Sequence, residues 1–249
     1  MNPHIAQLES ALAQRARPLR VFLRDDDAAT DEPALRNLLA LCLRRETPIS
    51  LAVIPGLLTT AGVELLAGAR RAHPHLIEVC QHGWRHVNHE HTGKKCEFGP
   101  DRDFDAQLAD IGVGQARMND AFADQWTSVF VPPWNRCTET TARALEQLGF
   151  RALSRDAGQA AFPACRLPEI PVTLDLYRWR GGATLRAPDD LAAELQQQIL
   201  NADQIGLLLH HQVMDDTAMI LLEDLLRLLS HFPLVGFHTF DSLLRPTSA

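Results

Sequence analysis

The sequence lacks the features that mark secreted or membrane-spanning chains. Its five cysteines are odd in number and widely spaced, and no two form a Cys-x-x-Cys pair. This pattern excludes a disulfide framework and a structural zinc knot, and it favours a reducing compartment. No apolar run reaches the length of a membrane span, and the polar N-terminal stretch lacks the apolar core of a signal peptide. We therefore expect a cytoplasmic protein without a membrane partner.

The sequence also lacks any cluster of basic residues. It has 24 Lys and Arg against 31 Asp and Glu, for a net charge of -7, and the basic residues are scattered. A nucleic-acid partner is therefore not expected. No internal repeat, low-complexity tract or domain boundary is visible, and 249 residues of 46% hydrophobic content are enough for one large core. We expect a single domain over residues 1–249, with a homo-oligomer as one option that the sequence leaves open.

Short apolar runs alternate with segments of helical periodicity along the chain. The predicted strands are residues 21–23, 49–54, 76–80, 128–131, 151–154, 170–177, 205–209 and 234–237. The predicted helices are residues 4–16, 33–45, 60–71, 104–122, 138–148, 189–201 and 219–229. Strands that are apolar throughout and separated by helices indicate a parallel sheet. Seven or eight such units in this length predict an α/β fold, a distorted (β/α)7–8 barrel that is closed or nearly closed.

Chemically active side chains follow four of the predicted strands. Asp25-Asp26-Asp27 follows the first, His82 and His86 follow the third, Pro133-Trp134 follows the fourth, and His210 follows the late strand at 205–209. The carboxyl ends of parallel strands meet at one rim of a barrel, where catalytic residues gather. These side chains are therefore predicted to share one site at that rim.

The imidazoles of residues 78–91 predict a metal site only in combination with the acids. His82 and His86 are four apart, so that both rings can point at one centre. Alone, such a pair is more often part of a solvated loop, and an acidic run alone is as often a turn or a helix cap. Two imidazoles and one carboxylate, however, leave open positions for water and substrate, as a hydrolytic metal requires.

Four segments resemble, in order, motifs of the polysaccharide deacetylases, which form carbohydrate esterase family 4 and share the nodulation-factor-deacetylase homology domain. Residues 21–29 resemble the first motif, where an apolar strand leads into Thr-Phe-Asp-Asp-Gly-Pro; residues 78–86 the second, Asn-His-Ser/Thr-x-x-His; residues 130–135 the third, Arg-x-Pro-Tyr/Trp-Gly; and residues 208–210 the fifth, Leu-x-His. The motifs span most of the chain, so it is similar to a divergent member of this family.

The sequence departs from the family motifs at several positions. Gln81 and Gly83 stand where the second motif has Asn and Ser/Thr, and His211 stands where an Asp often follows the fifth-motif His. Val131 replaces the third-motif Arg, which is expected to brace the catalytic base. Arg24 lies two residues before Asp26, hence on the same face of a strand, and we predict that it supplies the missing cation.

The resemblance implies a metal-dependent hydrolytic site. Asp27, His82 and His86 would be the ligands of a divalent metal, usually Zn²⁺ in such enzymes, with Co²⁺, Ni²⁺ or Fe²⁺ as alternatives. Asp26 would be the general base, and His210 would be the general acid that protonates the leaving group.

The resemblance also implies how the substrate is held. Trp134, with Pro133, would wall the acetyl pocket, and the backbone N–H of Trp134 would polarise the acyl carbonyl. The fourth motif, an Asp and a Trp that orient the catalytic His, has only weak counterparts here. Asp175 and Trp179 are the candidates for orienting His210.

Two assignments within the motifs have alternatives. Asp25 as base with Asp26 as ligand would move the first motif by one residue, and we prefer the frame that places Ala28-Ala29 where Gly-Pro usually stands. His89 and His91 follow the ligand pair, and we predict roles in a solvated or substrate-facing loop for them, because three protein ligands already make a catalytic site.

The expected function is hydrolytic removal of acetyl groups from an N- or O-acetylated carbohydrate. One alternative is a related-barrel amidohydrolase that acts on a small non-sugar C–N substrate, which the loss of the third-motif Arg and a cytoplasmic location would suit. A second is a catalytically idle carbohydrate-binding protein. The retained base, ligands and acid argue against the idle protein, since an idle site has no chemical need for all of them.

Overall fold

The computed structural model describes residues 3–245. The helices are α1 (Pro3–Ala13), α2 (Pro33–Arg44), α3 (Thr60–Ala72), α4 (Phe104–Phe122), α5 (Glu139–Gln147), α6 (Pro188–Asn201), α7 (Asp216–Ser230) and α8 (Phe240–Leu244). The strands are β1 (Leu19–Ala28), β2 (Ile49–Val53), β3 (Ile77–His82), β4 (Val129–Val131), β5 (Ala152–Leu153), β6 (Leu174–Asp175), β7 (Tyr177–Trp179), β8 (Ala183–Leu185), β9 (Gln204–Leu209) and β10 (Val235–His238). All seven predicted helices are present, and their ends lie within three residues of the predicted ones.

Eight of these strands form one curled sheet in which every pairing is parallel. The order is β5-β4-β3-β2-β1-β9-β6. On one edge of the long strand β1, the first half pairs with β10 and the second half pairs with β2. An irregular segment joins the two ends of the sheet, because Ile170 and Val172 donate to Leu153 and Arg155, and Thr173 donates to Gly206. The predicted α/β fold, a distorted β/α barrel, is confirmed.

The core lies between the sheet and the surrounding helices and inside the curled sheet. Strands β2, β3 and β4 are buried along their whole length, as expected for a parallel sheet covered on both faces. Helices α2 and α7 bury their leucine-rich faces against it. This rigid scaffold carries the functional side chains at the carboxyl ends of the strands.

Strand β1 is longer than the sequence predicts. The predicted strand stops at Leu23 because three acids follow, but β1 continues to Ala28 and pairs there with β2 and β9. The charged side chains can remain in a buried strand because each has a polar partner, as described below. A bulge interrupts the β1–β2 register between Asp25 and Ala28, and Asp27 has a left-handed φ of 72°.

The region after β5 differs most from the prediction. The predicted strand at 170–177 is broken into isolated bridges, the short β6 and the start of a β7–β8 hairpin. Gly181 and Gly182 have φ of 75° and 133° at the tip of that hairpin, which only glycine adopts readily. Helix α8 was not predicted either, and its first backbone N–H groups donate to the buried Glu78 carboxylate. No helix within residues 3–245 is long and apolar enough to cross a membrane.

Candidate active site

The residues named from the motifs, apart from Pro133 and the supporting Arg24, line one cleft at the carboxyl rim of the sheet. The cleft has a volume of about 420 Å³, and its walls include Asp26, Asp27, His82, His86, Trp134, Asp175, Trp179 and His210. Four of the six non-glycine residues with positive φ among the described residues lie here, namely Asp27, His86, Trp134 and Asn135. Strained backbone of this kind is concentrated at functional sites.

Asp27, His82 and His86 form a cluster with the dimensions of a metal site. One ligand atom from each lies within 4.8 Å of the others. Asp27 Oδ1 is 3.2 Å from His82 Nε2 and 3.4 Å from His86 Nε2. Within the described part of the chain no other group of three such residues meets this criterion, and His89 and His91 lie outside it.

The tautomer of His82 suits a ligand. Its Nδ1 lies 3.0 Å from the carbonyl oxygen of Val131, which can only accept, so Nδ1 carries the proton. The other ring nitrogen is then free to face Asp27. Fixing one ring nitrogen to a backbone carbonyl is the usual arrangement behind a metal-binding imidazole. Val131, which stands where the family motif has Arg, thus contributes through its backbone.

Two buried polar atoms at this cluster have no hydrogen-bond partner within residues 3–245. They are Asp27 Oδ1 and His82 Nε2, although they lie only 3.2 Å apart. Leaving such atoms unsatisfied is costly, and most buried polar atoms in proteins are paired. A cation held between the carboxylate and the two imidazoles would satisfy both, so the residues fit a divalent metal.

The pKa shifts of Asp27 and His86 suit a bound cation, whereas that of His82 opposes it. Burial alone would raise the pKa of Asp27, but the side chain and charge of His82, with the charge of His86, lower it below its ordinary value. Burial and the charge of His82 lower the pKa of His86, which favours the neutral form that binds metal. Burial opposes a charge on His82, but Asp26 and Asp27 outweigh it and raise its pKa, so a proton competes for its Nε2.

Arg24 makes a two-pronged contact with Asp26. Its Nε and Nη2 donate to the two carboxylate oxygens of Asp26 at 2.8 and 2.9 Å. Its remaining donors reach the carbonyl and hydroxyl oxygens of Ser154 and the Oδ1 atom of Asn135. The Arg24 side chain is fully buried, and it stands where the sequence places the cation that replaces the third-motif Arg.

Asp25 points away from the cleft. It accepts hydrogen bonds from the backbone N–H of His211 at 2.8 Å and contacts His211 Nδ1 at 2.6 Å. Only Asp26 and Asp27 of the acidic run line the cleft. The geometry therefore agrees with the frame in which these two residues, and not Asp25 and Asp26, are the functional pair.

Trp134 forms the wall of the cleft beside His86, with ring centroids 4.3 Å apart. It lies in a 3-10 turn with a left-handed φ of 56°, and Asn135 continues that conformation. Pro133, which the sequence groups with Trp134, is buried behind the cleft wall against Gly83. It is not among the residues that line the cleft.

His210, Trp179 and Asp175 form another part of the cleft wall. The Trp179 ring packs edge-on against His210 with centroids 4.5 Å apart, and the Trp179 indole donates to Asp175 Oδ2 at 2.8 Å. Burial raises the pKa of Asp175, and the charge of His210 opposes that rise. His210 Nδ1 is buried and has no hydrogen-bond partner among the described residues. The weak fourth-motif candidates thus lie directly beside His210.

The two departures in the second motif have a steric basis. Gly83 has φ of 54°, and a Cβ there would lie 2.2 Å from a carboxylate oxygen of Glu97 and 2.6 Å from Pro133. Gln81 donates to the carbonyls of Gly83 and Ile111 and so holds the start of the loop that carries His86. Only glycine fits at 83, and the longer amide at 81 spans the space to helix α4.

Several residues of the site could not be named from the motifs. Asn135 and Ser154 hold Arg24, while Lys95, Arg136 and Asp156 line the cleft. Asp156 follows strand β5, so its position after a predicted strand was an available signal. Lys95 comes from the long loop before α4, where no periodicity indicates its direction.

Comparison with known proteins gives structural matches only. No protein-family model matches the sequence, and no curated protein matches it. A structure from Mycobacterium smegmatis described as a candidate polysaccharide deacetylase superposes with a TM-score of 0.71 at 16% identity, covering 93% of this chain and 90% of that one. The chain has the fold of the CE4 polysaccharide deacetylases.

Two further CE4 structures are those of an esterase and of a pseudoenzyme. A family 4 acetyl xylan esterase from Clostridium thermocellum, in complex with a cobalt ion, gives a TM-score of 0.57 at 15% identity over 90% of this chain and 89% of that one. A CE4-family pseudoenzyme from Bacillus anthracis gives 0.60 at 14% identity over 92% of this chain and 66% of that one. The CE4 fold therefore does not establish activity, which depends on the side chains of the cleft.

Proposed function

We propose that this protein is a divergent CE4 deacetylase, a metal-dependent hydrolase that removes acetyl groups from an N- or O-acetylated carbohydrate. The observation that carries the proposal is the joint presence, in one cleft, of the Asp27–His82–His86 cluster and the Arg24-paired carboxylate of Asp26. The cobalt complex of the Clostridium thermocellum acetyl xylan esterase supports both the metal and the acetylated sugar.

Asp27, His82 and His86 would hold the metal. Their two nitrogens and one oxygen leave room for further ligands, as in catalytic sites. Zn²⁺ is the ion we propose, since it accepts this mixed ligand set readily. When bound, a divalent ion at this position supplies Lewis acidity to the acyl oxygen and to a water molecule.

The chain's own residues handle the protons. Asp26, oriented by Arg24, accepts a proton from the attacking water as the water oxygen bonds to the acyl carbon. His210, which lines the same cleft, gives a proton to the leaving nitrogen or oxygen as the bond between that atom and the acyl carbon breaks. The products are acetate and the free amine or alcohol. Trp134 closes the acyl side of the cleft and offers its backbone N–H to the developing negative charge.

The test is release of acetate by the purified protein from N-acetylated and O-acetylated oligosaccharides, with two variants that separate the roles. Asp26→Asn should retain metal and lose activity by about 10²-fold or more, the usual contribution of a general base. His82→Ala should lose the metal and the activity together. The assignments would fail if Asp26→Asn lost metal while His82→Ala kept it.

The same assay separates the rival functions. Bound metal without acetate release from any sugar, but with hydrolysis of small cyclic or linear amides, would favour an amidohydrolase. A third outcome, in which sugar binds and no substrate is hydrolysed, would make this protein inactive, as the Bacillus anthracis pseudoenzyme is described to be. Either result would replace the deacetylase proposal.

A further inference from the structure

Three ionisable side chains contact one another in sequence, beside the part of the cleft wall that His210 forms. His211 Nδ1 contacts Asp25 Oδ2 at 2.6 Å, and His211 Nε2 contacts Glu32 Oε1 at 2.7 Å. The side chains of Asp25 and His211 are fully buried, while Glu32 is partly exposed. None of the three lines the cleft. The proposed mechanism uses none of them, although Asp25 and His211 are the chain neighbours of Asp26 and His210.

Burying ionisable groups costs free energy, so the presence of three of them in contact needs an explanation. Taking two charged groups out of water costs several kcal/mol per ion, and replacing a buried ion pair by apolar side chains is often neutral or stabilising. Glu32 precedes helix α2 at the cap position, yet its side chain makes no capping hydrogen bond and reaches His211 instead. Apolar side chains could fill the same space, so packing alone does not explain why three ionisable groups lie here.

Asp25 holds the peptide unit that joins His210 to His211. One carboxylate oxygen accepts the backbone N–H of His211, and the other contacts its ring. This grip fixes the backbone dihedrals from which the His210 side chain projects. Asp25 is also the neighbour of Asp26 in β1, and it pairs with Leu209 of β9. A single side chain thus connects the strand of the proposed base to the loop of the proposed acid.

We propose that Asp25, His211 and Glu32 are positioning residues that hold the His210 imidazole in the cleft that Asp26 also lines. This rests on the proposed function, because it takes His210 as the general acid. His210 makes no hydrogen bond through its buried Nδ1 within the described chain, so its orientation depends on the Trp179 contact and on its backbone. The three residues supply the backbone constraint.

A comparison of leaving groups distinguishes positioning of the acid from general structural support. An aryl acetate such as 4-nitrophenyl acetate expels a stable anion and needs no proton, whereas an N-acetyl sugar expels an amine and does. Asp25→Asn and His211→Ala should lower kcat on the N-acetyl sugar by about 10- to 100-fold. This is less than the roughly 10²- to 10⁴-fold that complete loss of a general acid usually costs, because His210 itself remains. Their kcat on the aryl ester should stay close to that of the wild type.

Conservative variants should lose less of the activity on the N-acetyl sugar. The amide nitrogen of Asn can occupy the place of His Nδ1, so His211→Asn should keep the Asp25 contact, lose the Glu32 contact, and recover part of the activity on the N-acetyl sugar. Glu32→Gln, a change at a partly exposed residue, should give a smaller loss of the same kind and tests the proposal even where Asp25→Asn fails to fold. Metal content should be unchanged in every variant.

Glu78→Gln is the matched control. Glu78 is a buried carboxylate at the start of β3, and it accepts hydrogen bonds from Ser50, Thr127 and the start of α8. Its replacement should lower the melting temperature without changing the ratio of the two activities. The proposal would be overturned if the positioning variants left the ratio of the two activities at its wild-type value, whether both activities fell by one common factor or neither changed.

A structural measurement decides the inference even if the wild type hydrolyses neither substrate, an outcome that would defeat the proposed function. Crystal structures of Glu32→Gln and His211→Asn should show the His210 ring displaced or in more than one rotamer while the Asp27–His82–His86 cluster is unchanged. A His210 ring that kept its position in both variants would refute the positioning role.

Discussion

At the scale of single residues, the partners of buried charges determine what the site can do. Arg24 is fully buried, and every nitrogen of its guanidinium donates to an oxygen of Asp26, Ser154 or Asn135. The two-pronged contact leaves the Asp26 carboxylate in one orientation, next to the metal cluster. Arg24, from the same strand as Asp26, thus makes the contact that is expected of the third-motif Arg, which Val131 replaces in this sequence.

Replacing Arg24 tests this substitution of one cation for another. Arg24→Gln should lower kcat by about 10-fold or more, and it should move the acid limb of the pH–rate profile to higher pH, because a buried carboxylate without its cation holds a proton more tightly. Arg24→Lys, which keeps the charge but cannot make the two-pronged contact, should shift that limb less. A profile identical to that of the wild type in Arg24→Gln would contradict the bracing role.

The charge of His211 gives a prediction for stability against pH. Burial alone would lower the pKa of His211, but the charges and contacts of Asp25 and Glu32 raise it to about 9 from an ordinary value of 6.5. A raised pKa in the folded state stabilises the fold fully below pH 6.5, and that contribution is lost as the pH rises through 9. Denaturant unfolding between pH 6 and 10 should show the stability difference between wild type and His211→Asn narrowing across this window. A constant difference would mean that the ring is not charged.

At the scale of elements, helix α4 illustrates how a weak helix position serves the site. The sequence shows two glycines, Gly112 and Gly114, which lower helix propensity. A Cβ at Gly114 would lie 2.2 Å from the Gln81 amide, whereas a Cβ at Gly112 would meet only Leu148 at 3.7 Å. Gly114 thus leaves space for the side chain that holds the His86 loop.

The two glycines should therefore respond in opposite directions to the same substitution. Gly114→Ala should destabilise the fold by about 1–3 kcal/mol, the usual cost of overpacking, and should weaken metal binding through the His86 loop. Gly112→Ala, the matched control on the same helix, should stabilise it by roughly 0.5–1 kcal/mol. Thermal unfolding measures both. Equal effects at the two positions would show that the contact with Gln81 has no energetic weight.

The order of the elements followed from the sequence, but the ends of several did not. Apolar runs and helical periodicity predicted the parallel sheet because burial on both faces demands them. They placed the end of β1 too early, since His211, the buried partner of Asp25, lies far along the chain. The β7–β8 hairpin was missed because both its strands are short and largely exposed.

At the scale of the whole molecule, the site was predictable where it depends on strand geometry. Alternation along a strand places Arg24 and Asp26 on one face, and parallel strands bring His82 and His210 to one rim. Contacts that depend on loop conformation were not predictable. The left-handed backbone at Asp27, His86 and Trp134 depends on tertiary packing. Asp and His tolerate this conformation better than most residues, but that tolerance does not indicate which Asp or His adopts it.

If the proposed function is right, the cleft releases acetate only when the Asp27–His82–His86 cluster holds a divalent ion. This dependence is measured by stripping the protein with a chelator, adding Zn²⁺ or Co²⁺ back in steps, and determining the acetate released from an acetylated oligosaccharide at each step. We expect negligible release from the stripped protein and a rise that saturates at one ion per chain. Acetate release that persists in the stripped protein, or that no ion restores, would contradict this expectation.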